Sequence, residues 1–338
     1  MRIDDYMATC LLHPTMGYYT TRDPFGQAGD FVTAPEISQM FGEVLGLCLA
    51  QYWFLQGAPE KFTLAELGPG RGTLMSDMLR ATKSVTGFHD AAQITLIEAS
   101  PALQAVQREA LEPYEVTWAS DVSTLPNQPL YLIANEFFDA LPIRQFVRSG
   151  AGWRERQIGA EADEFTFGLG PEAPQPALSQ RYDDDAQDGD LVEDCPSAAP
   201  IISEISRRVA SFGGGALIID YGDWRSLGDT LQAVRDHKMS DPLAEPGQSD
   251  LTAHVDFEAC ALAAAPCAYS RLTPQGVFLE RLGITPRAQS LAKKLTGDAL
   301  GQHIAAHRRL THPEEMGNLF KVLGLYPSHL QPPPGLEP

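Results

Sequence analysis

The segment from Phe62 to Thr73 constrains the fold of this chain more than any other. An apolar run ending in Glu66-Leu67 leads into Gly68-Pro69-Gly70-Arg71-Gly72, and an amphipathic pattern follows from Leu74 to Lys83. A buried strand that turns this tightly into a helix needs glycine. Some turn positions take φ > 0, and a Cβ would hold the backbone away from a ligand. The same texture then repeats. Strands are predicted at Ile94–Ile97, Val116–Ala119, Leu130–Ala134 and Ala216–Ile219, with helices at Pro101–Leu111 and about 200–212 between them. Such βα alternation is the signature of a mostly parallel sheet covered on both faces, an α/β fold.

The rhythm is broken once. Residues 144–199 carry short β patterns at Gln145–Arg148, Trp153–Ile158 and Phe165–Phe167, then a Pro/Ala/Gly stretch and the acids Asp183, Asp184 and Asp185. They read as an inserted β subdomain with an acidic loop, dividing a catalytic domain into 61–143 and 200–330. Residues 1–60 read as a helical N-terminal segment: a short helix over Asp4–Leu12, a loop from Gly26 to Pro35, and a long helix over Glu36–Leu55. Pro332-Pro333-Pro334 predicts a disordered or extended tail.

Composition narrows the function classes. A formal net charge of −19 over 338 residues argues against a general nucleic-acid binder, which needs a basic face. Five scattered cysteines without a CxxC pair give no support for a structural metal site and suit reduced thiols. No apolar run approaches the roughly 20 residues needed to span a bilayer, and the N-terminus has neither a secretion nor a transit pattern. The expectation is a cytoplasmic protein, mitochondrial only if a transit peptide has been trimmed.

Glycine spacing separates two cofactor classes. A dinucleotide turn, G-x-G-x-x-G, would demand glycine at position 73, which is Thr73; the glycines lie at 68, 70 and 72 instead. Glu/Asp-x-Gly-x-Gly-x-Gly is the loop of S-adenosyl-L-methionine sites, so Glu66, Gly68, Gly70, Gly72 and Thr73 are candidate cofactor contacts. The next strand ends at Glu98, where a carboxylate can accept both ribose hydroxyls, and the third at Ala119-Ser120-Asp121, with Asp121 suited to the adenine amino group. Three successive strand ends on the carboxyl edge of one sheet lie where open α/β sheets bind ligands.

Further segments carry a family resemblance: Gly17-Tyr18-Tyr19; Gly29 to Gln39; Glu66 to Met75; Asn135-Glu136-Phe137-Phe138-Asp139-Ala140-Leu141-Pro142; Leu217 to Gly222; and Asp250 to Phe257. Together they resemble the MidA-type S-adenosylmethionine-dependent methyltransferases, which include a mitochondrial arginine methyltransferase of complex I assembly and many bacterial relatives. The resemblance implies a class I methyltransferase Rossmann-like sheet with an N-terminal helical extension and an inserted β element. It also implies a protein substrate, with arginine the target in the mitochondrial branch and a respiratory complex I subunit as one candidate partner.

Asn135 to Asp139 follow the fourth strand, where such enzymes meet their acceptor. Glu136 and Asp139, three apart around a turn, can grip a guanidinium fork, while Phe137 and Phe138 can wall the site or stack on the cation. Asn135 and His254 complete the candidate catalytic set, His254 as a proton acceptor or carboxylate anchor. The Gly29–Gln39 loop is expected to close over the cofactor, bending at Gly26 and Gly29, with Thr33 and Gln39 among its contacts. Two other functions stay open on these residues: methylation of a small-molecule or other non-arginine acceptor, and a cofactor-binding assembly scaffold without turnover.

Overall fold

A computed structural model of the chain describes residues 1–21, 33–162, 164–235 and 237–338. The N-terminal part of the expected lid, with Gly26, Gly29 and Asp30, lies outside the described residues. The chain opens with helices α1 (Ile3–Leu12) and α2 (Tyr18–Thr21), and resumes with α3 (Ala34–Ile37) and α4 (Gln39–Leu55). The single helix predicted from Glu36 breaks at Ser38. Its backbone is extended (φ −161°, ψ 133°) and its hydroxyl accepts from the Met40 N–H, capping α4.

The predicted alternation follows: β1 (Phe62–Leu67), α5 (Thr73–Thr82), α6 (Phe88–Ala91), β2 (Ala92–Ile97), α7 (Pro101–Ala110), β3 (Val116–Ala119) and β4 (Leu130–Asn135). The insert contributes β5 (Arg144–Ser149), β6 (Gly152–Glu161), β7 (Glu164–Ala173) and β8 (Leu191–Asp194), after which β9 (Gly214–Asp223) returns to the main sheet. Strands β3, β2, β1, β4 and β9 lie side by side in that order, all parallel. An antiparallel strand, Phe320–Tyr326, closes the far side against β9. β1 is buried along its whole length, as is β4, because helices cover both faces. On one face α4 packs on α5 so closely that a Cβ at Gly46 would stand 2.7 Å from the Met78 Cα; glycine is required there by contact.

The insert is a four-stranded antiparallel sheet, ordered β7-β6-β5-β8, around a small core of Phe146, Trp153, Leu178, Tyr182 and Val192. The predicted N-terminal unit 1–60 divides by packing. α4 belongs to the main core. α1 joins Ile143, Ile158, Ala233 and Leu251 in another cluster, and the Met1 ammonium donates to the Ile158 carbonyl at 2.8 Å. A three-stranded sheet of Gln232–Arg235, Lys238–Ser240 and Asp250–Thr252, absent from the sequence reading, completes that cluster's frame. The proline-rich tail is ordered against the body: the Tyr52 hydroxyl donates to the Gln331 carbonyl at 2.9 Å, and Leu336 is buried. Its prolines prevent a helix or central strand, but they do not prevent packing.

Candidate active site

Between the ends of β1 and β4 the strand order reverses, which opens a crevice at the carboxyl edge of the sheet. A cavity of about 430 Å³ lies there, lined by Gly68, Gly70 and Thr73, by Glu66 and Glu98, and by Asn135, Glu136 and Asp139. Tyr19, Thr33, Asp250, Thr252 and Tyr221 form its other walls.

On the β1 side the turn takes left-handed backbone at Gly68 (φ +59°) and Gly70 (φ +52°) before α5 begins at Thr73. A Cβ at Gly68 would stand 2.9 Å from the Phe137 ring, so the glycine lets the acceptor loop close over the turn. The Thr73 hydroxyl donates to Glu36 at 2.5 Å, tying α5 to α3. Glu66 is buried, and its Oε2 has no hydrogen-bond partner among the described residues. Burial pushes its carboxyl up to about 8, only partly opposed by the Met75 backbone N–H.

Glu98 sits at the end of β2. Its Oε1 accepts from the Ser100 N–H at 2.8 Å and its Oε2 from the Gln107 amide at 3.1 Å, and lone pairs remain on both oxygens. Gln107, on α7, also donates to the Gly70 carbonyl at 2.7 Å and accepts from the Trp118 indole at 2.8 Å. One side chain thus fixes the glycine turn, the carboxylate and β3 together. Sequence reasoning passed over it because a glutamine in an amphipathic helix carries no local signal.

The β4 side holds the carboxylates. Glu136 has left-handed backbone (φ +53°), uncommon for a residue with a Cβ. Its Oε1 accepts from the Ala34 N–H at 3.1 Å and the Asn135 amide at 3.0 Å. The strained turn is held from below by Asp220, fully buried at the centre of β9. Its Oδ2 faces the N–H groups of Phe137, Phe138 and Asp139 at 3.2, 3.0 and 3.3 Å. Burial is the main cause that raises all three carboxyl groups, with mutual repulsion added at Glu136 and Asp220. Glu136 reaches about 7, and Asp139 and Asp220 also stand above the usual range. Buried oxygens of Asn135 (Oδ1) and Asp139 (Oδ1) have no partner among the described residues. Phe137 lines the cavity, whereas Phe138 is core.

Not every predicted contact reaches the cavity. Asp121 is exposed and accepts from the Ser123 N–H at 2.6 Å, capping a 3₁₀ turn, so Ser120 lines the wall in its place. Gln39 is exposed at the start of α4, and Gly72 is buried against Gln107 and Ala110. His254 lines a separate cleft and packs edge-on against Tyr221 at 5.3 Å. The roles of Asp220, Tyr221, Asp250, Thr252 and Tyr19 were not drawn from the motifs that contain them, because their partners are far away in sequence. The Tyr19 hydroxyl, for example, donates to Asp250 at 2.8 Å.

S-adenosyl-L-methionine fits these residues. A carboxylate oxygen with no partner suits its ammonium group, Glu98 suits its ribose diol, and the tight glycine turn admits a closely packed ligand. The fold and this site define a class I S-adenosylmethionine-dependent methyltransferase.

Comparison with known proteins agrees. The family model described as "Putative S-adenosyl-L-methionine-dependent methyltransferase" matches residues 44–275. The mitochondrial protein arginine methyltransferase NDUFAF7 of Xenopus laevis is 37% identical over 96% of this chain and 80% of its own length. The Homo sapiens protein of the same name is 35% identical, again over 96% and 80%. A Burkholderia thailandensis crystal structure bound to S-adenosyl-homocysteine superposes with a TM-score of 0.82 at 28% identity, covering 97% of this chain and 88% of that one. The chain belongs to this S-adenosyl-L-methionine-dependent methyltransferase family, and it is an enzyme that uses that cofactor.

Proposed function

We propose that the enzyme methylates an arginine side chain of a polypeptide. The observation that carries this reading is the pair Glu136 and Asp139, two carboxyl groups at one end of the cofactor cavity, with Asp220 behind them. Similarity to proteins named protein arginine methyltransferase supports it, and the family's link to complex I assembly makes subunits of that complex the first candidates. When bound, S-adenosylmethionine supplies a sulfonium methyl group open to displacement by a nitrogen lone pair. A guanidinium has none free while its charge is delocalised. Two carboxylates that grip its N–H fork orient one nitrogen and draw charge toward the others. The N–H proton displaced on transfer passes to Glu136, whose raised proton affinity suits an acceptor near neutral pH. Phe137 shields the site from water.

The test pairs a cofactor titration with single-turnover methylation. Glu136→Gln is expected to leave S-adenosylhomocysteine affinity nearly intact while the transfer rate falls by about 2–4 kcal/mol of transition-state stabilisation, roughly 30- to 1000-fold. Lysine in place of the acceptor arginine should react poorly, since ammonium lacks the planar fork. Equal loss of binding and rate, or no loss of either, would refute the clamp.

A further inference from the structure

A second concavity, about 670 Å³, lies beside the cofactor cavity and is lined by His254, Arg309, Asn318, Lys321, Asp223 and Met316 among others. The two share a wall. Tyr221 lines the cofactor cavity, while the next residue, Gly222, lines the cleft. His254 packs its ring edge-on against Tyr221 from the cleft side. Arg309 is carried by the helix Gly297–Thr311, which touches α3, and α3 begins with the Ala34 N–H bonded to Glu136. Its charge is felt at Glu136, favouring the ionised carboxylate.

The lining carries both signs: Asp223, Glu314 and Glu315 stand beside Arg309 and Lys321, and Asp223 acts on both His254 and Lys321. Lys321 donates to the carbonyls of Gly222 and Asn318, and Glu315 is engaged by Arg308. The side chains of Arg309, His254 and Asn318 make no hydrogen bond or ion pair among the described residues. Within this mixed lining Arg309 is a guanidinium that no carboxylate of the described residues pairs, and its charge reaches Glu136. Cofactor contacts and the acceptor clamp already occupy the 430 Å³ cavity. A polypeptide needs somewhere to lay the residues that flank its target.

We infer that this cleft docks the substrate polypeptide, with backbone carbonyls and an acidic side chain near the target facing Arg309, His254 and Asn318 while the target guanidinium passes Tyr221 to reach Glu136. The inference rests on the arginine reading above and adds to it a docking site and a sequence preference, for acid beside the target arginine.

The experiment uses synthetic peptides with one central arginine and either glutamate or glutamine at the flanking positions, methylated by the full chain with labelled S-adenosylmethionine. Binding of matched peptides with lysine at the centre is followed by fluorescence anisotropy. Wild-type enzyme should show the lower KM for glutamate-flanked peptides. Arg309→Glu should raise that KM about tenfold and abolish or reverse the preference, whereas Arg309→Lys should largely restore it. S-adenosylhomocysteine affinity should be unchanged throughout, which also reports that the variants are folded. Methylation with a flank preference indifferent to Arg309 would overturn the cleft and leave the arginine reading standing. Arg309-dependent binding of glutamate-flanked peptides without methylation would uphold the cleft and overturn the arginine reading. Neither methylation nor Arg309-dependent binding would overturn both.

Discussion

Asp220 sits beneath the acceptor loop as a buried carboxylate whose oxygens face four backbone N–H groups, those of Phe137, Phe138 and Asp139 and its own neighbour Tyr221. Asparagine at this position keeps the shape but loses an acceptor and a negative charge. Asp220→Asn should lower kcat, by about tenfold or more if one charged hydrogen-bonding partner of the loop is lost. Glu136 must be ionised to hold a guanidinium, so in wild type kcat/KM should rise as pH passes through about 7. The repulsion acting on Glu136 comes from Asp139, and Asp220 itself stands well above the usual carboxyl range, so Asp220→Asn should leave that acid limb in place. An unchanged kcat would reduce Asp220 to a packing residue. On the cofactor side, Glu98→Ala removes the acceptors for two hydroxyls. At about 1.5–3 kcal/mol for hydrogen bonds to a charged group, S-adenosylhomocysteine affinity should fall ten- to a hundredfold by calorimetry. An unchanged dissociation constant would mean that Glu98 serves only Ser100 and Gln107. Glu66, Glu98, Glu136 and Asp139, which line the cavity, were legible as candidates because each lies at or just after the end of a strand readable on its own. Gln107 and Asp220 were not, since the Gly70 carbonyl lies 37 residues from the one and the loop N–H groups lie 81 to 83 residues from the other.

At the scale of elements, an ionic knot helps to fasten the insert to the catalytic sheet. Arg181, on the helix Pro176–Tyr182, reaches both oxygens of Asp256 at 2.8 and 2.7 Å and Glu258 at 2.8 Å. The Tyr182 hydroxyl adds a bond to Asp256 at 2.8 Å. These side chains are mostly buried, so Arg181→Ala leaves two carboxylates short of a partner. It should cost about 2–3 kcal/mol, less than the loss from a fully buried pair. A urea midpoint that falls at constant m would show it; an unchanged midpoint would mean the knot adds nothing to stability. The bounds of β1 to β4 were readable almost to the residue. β1 and β4 are buried on both faces and mostly apolar, β2 is buried over Ile94–Ile97, and helix and turn signals bracket all four, including the half-buried edge strand β3. The strand Phe320–Tyr326, carrying a lysine and a glycine, has no such signature, and it becomes a strand only because β9 offers it a paired edge. The sheet through Asp250–Thr252 was invisible for the same reason.

Across the whole molecule, the C-terminal tail is the clearest case of long-range organisation. Gln331 and Pro334 meet Tyr52 and Cys48 of α4, and Leu336 is buried beside the final strand. Deleting residues 330–338 exposes α4 and should lower Tm by about 2–5 °C, as expected from losing one fully buried leucine and its neighbours in a chain of this size. A melt followed by circular dichroism checks this, and an unchanged Tm would mean the tail only rests on the surface. By itself the sequence determined the α/β class, the cofactor and most of the strand ends that line the cavity. Hydrophobic periodicity and glycine spacing are local properties, and a parallel sheet turns them into one binding edge. Tertiary structure alone decided which side chains reach that edge: it turned Asp121 into a cap, moved His254 to a neighbouring cleft, and set Asp220 beneath the acceptor carboxylates. Contacts between distant segments depend on how each element packs against the others, and no spacing within a single segment encodes that.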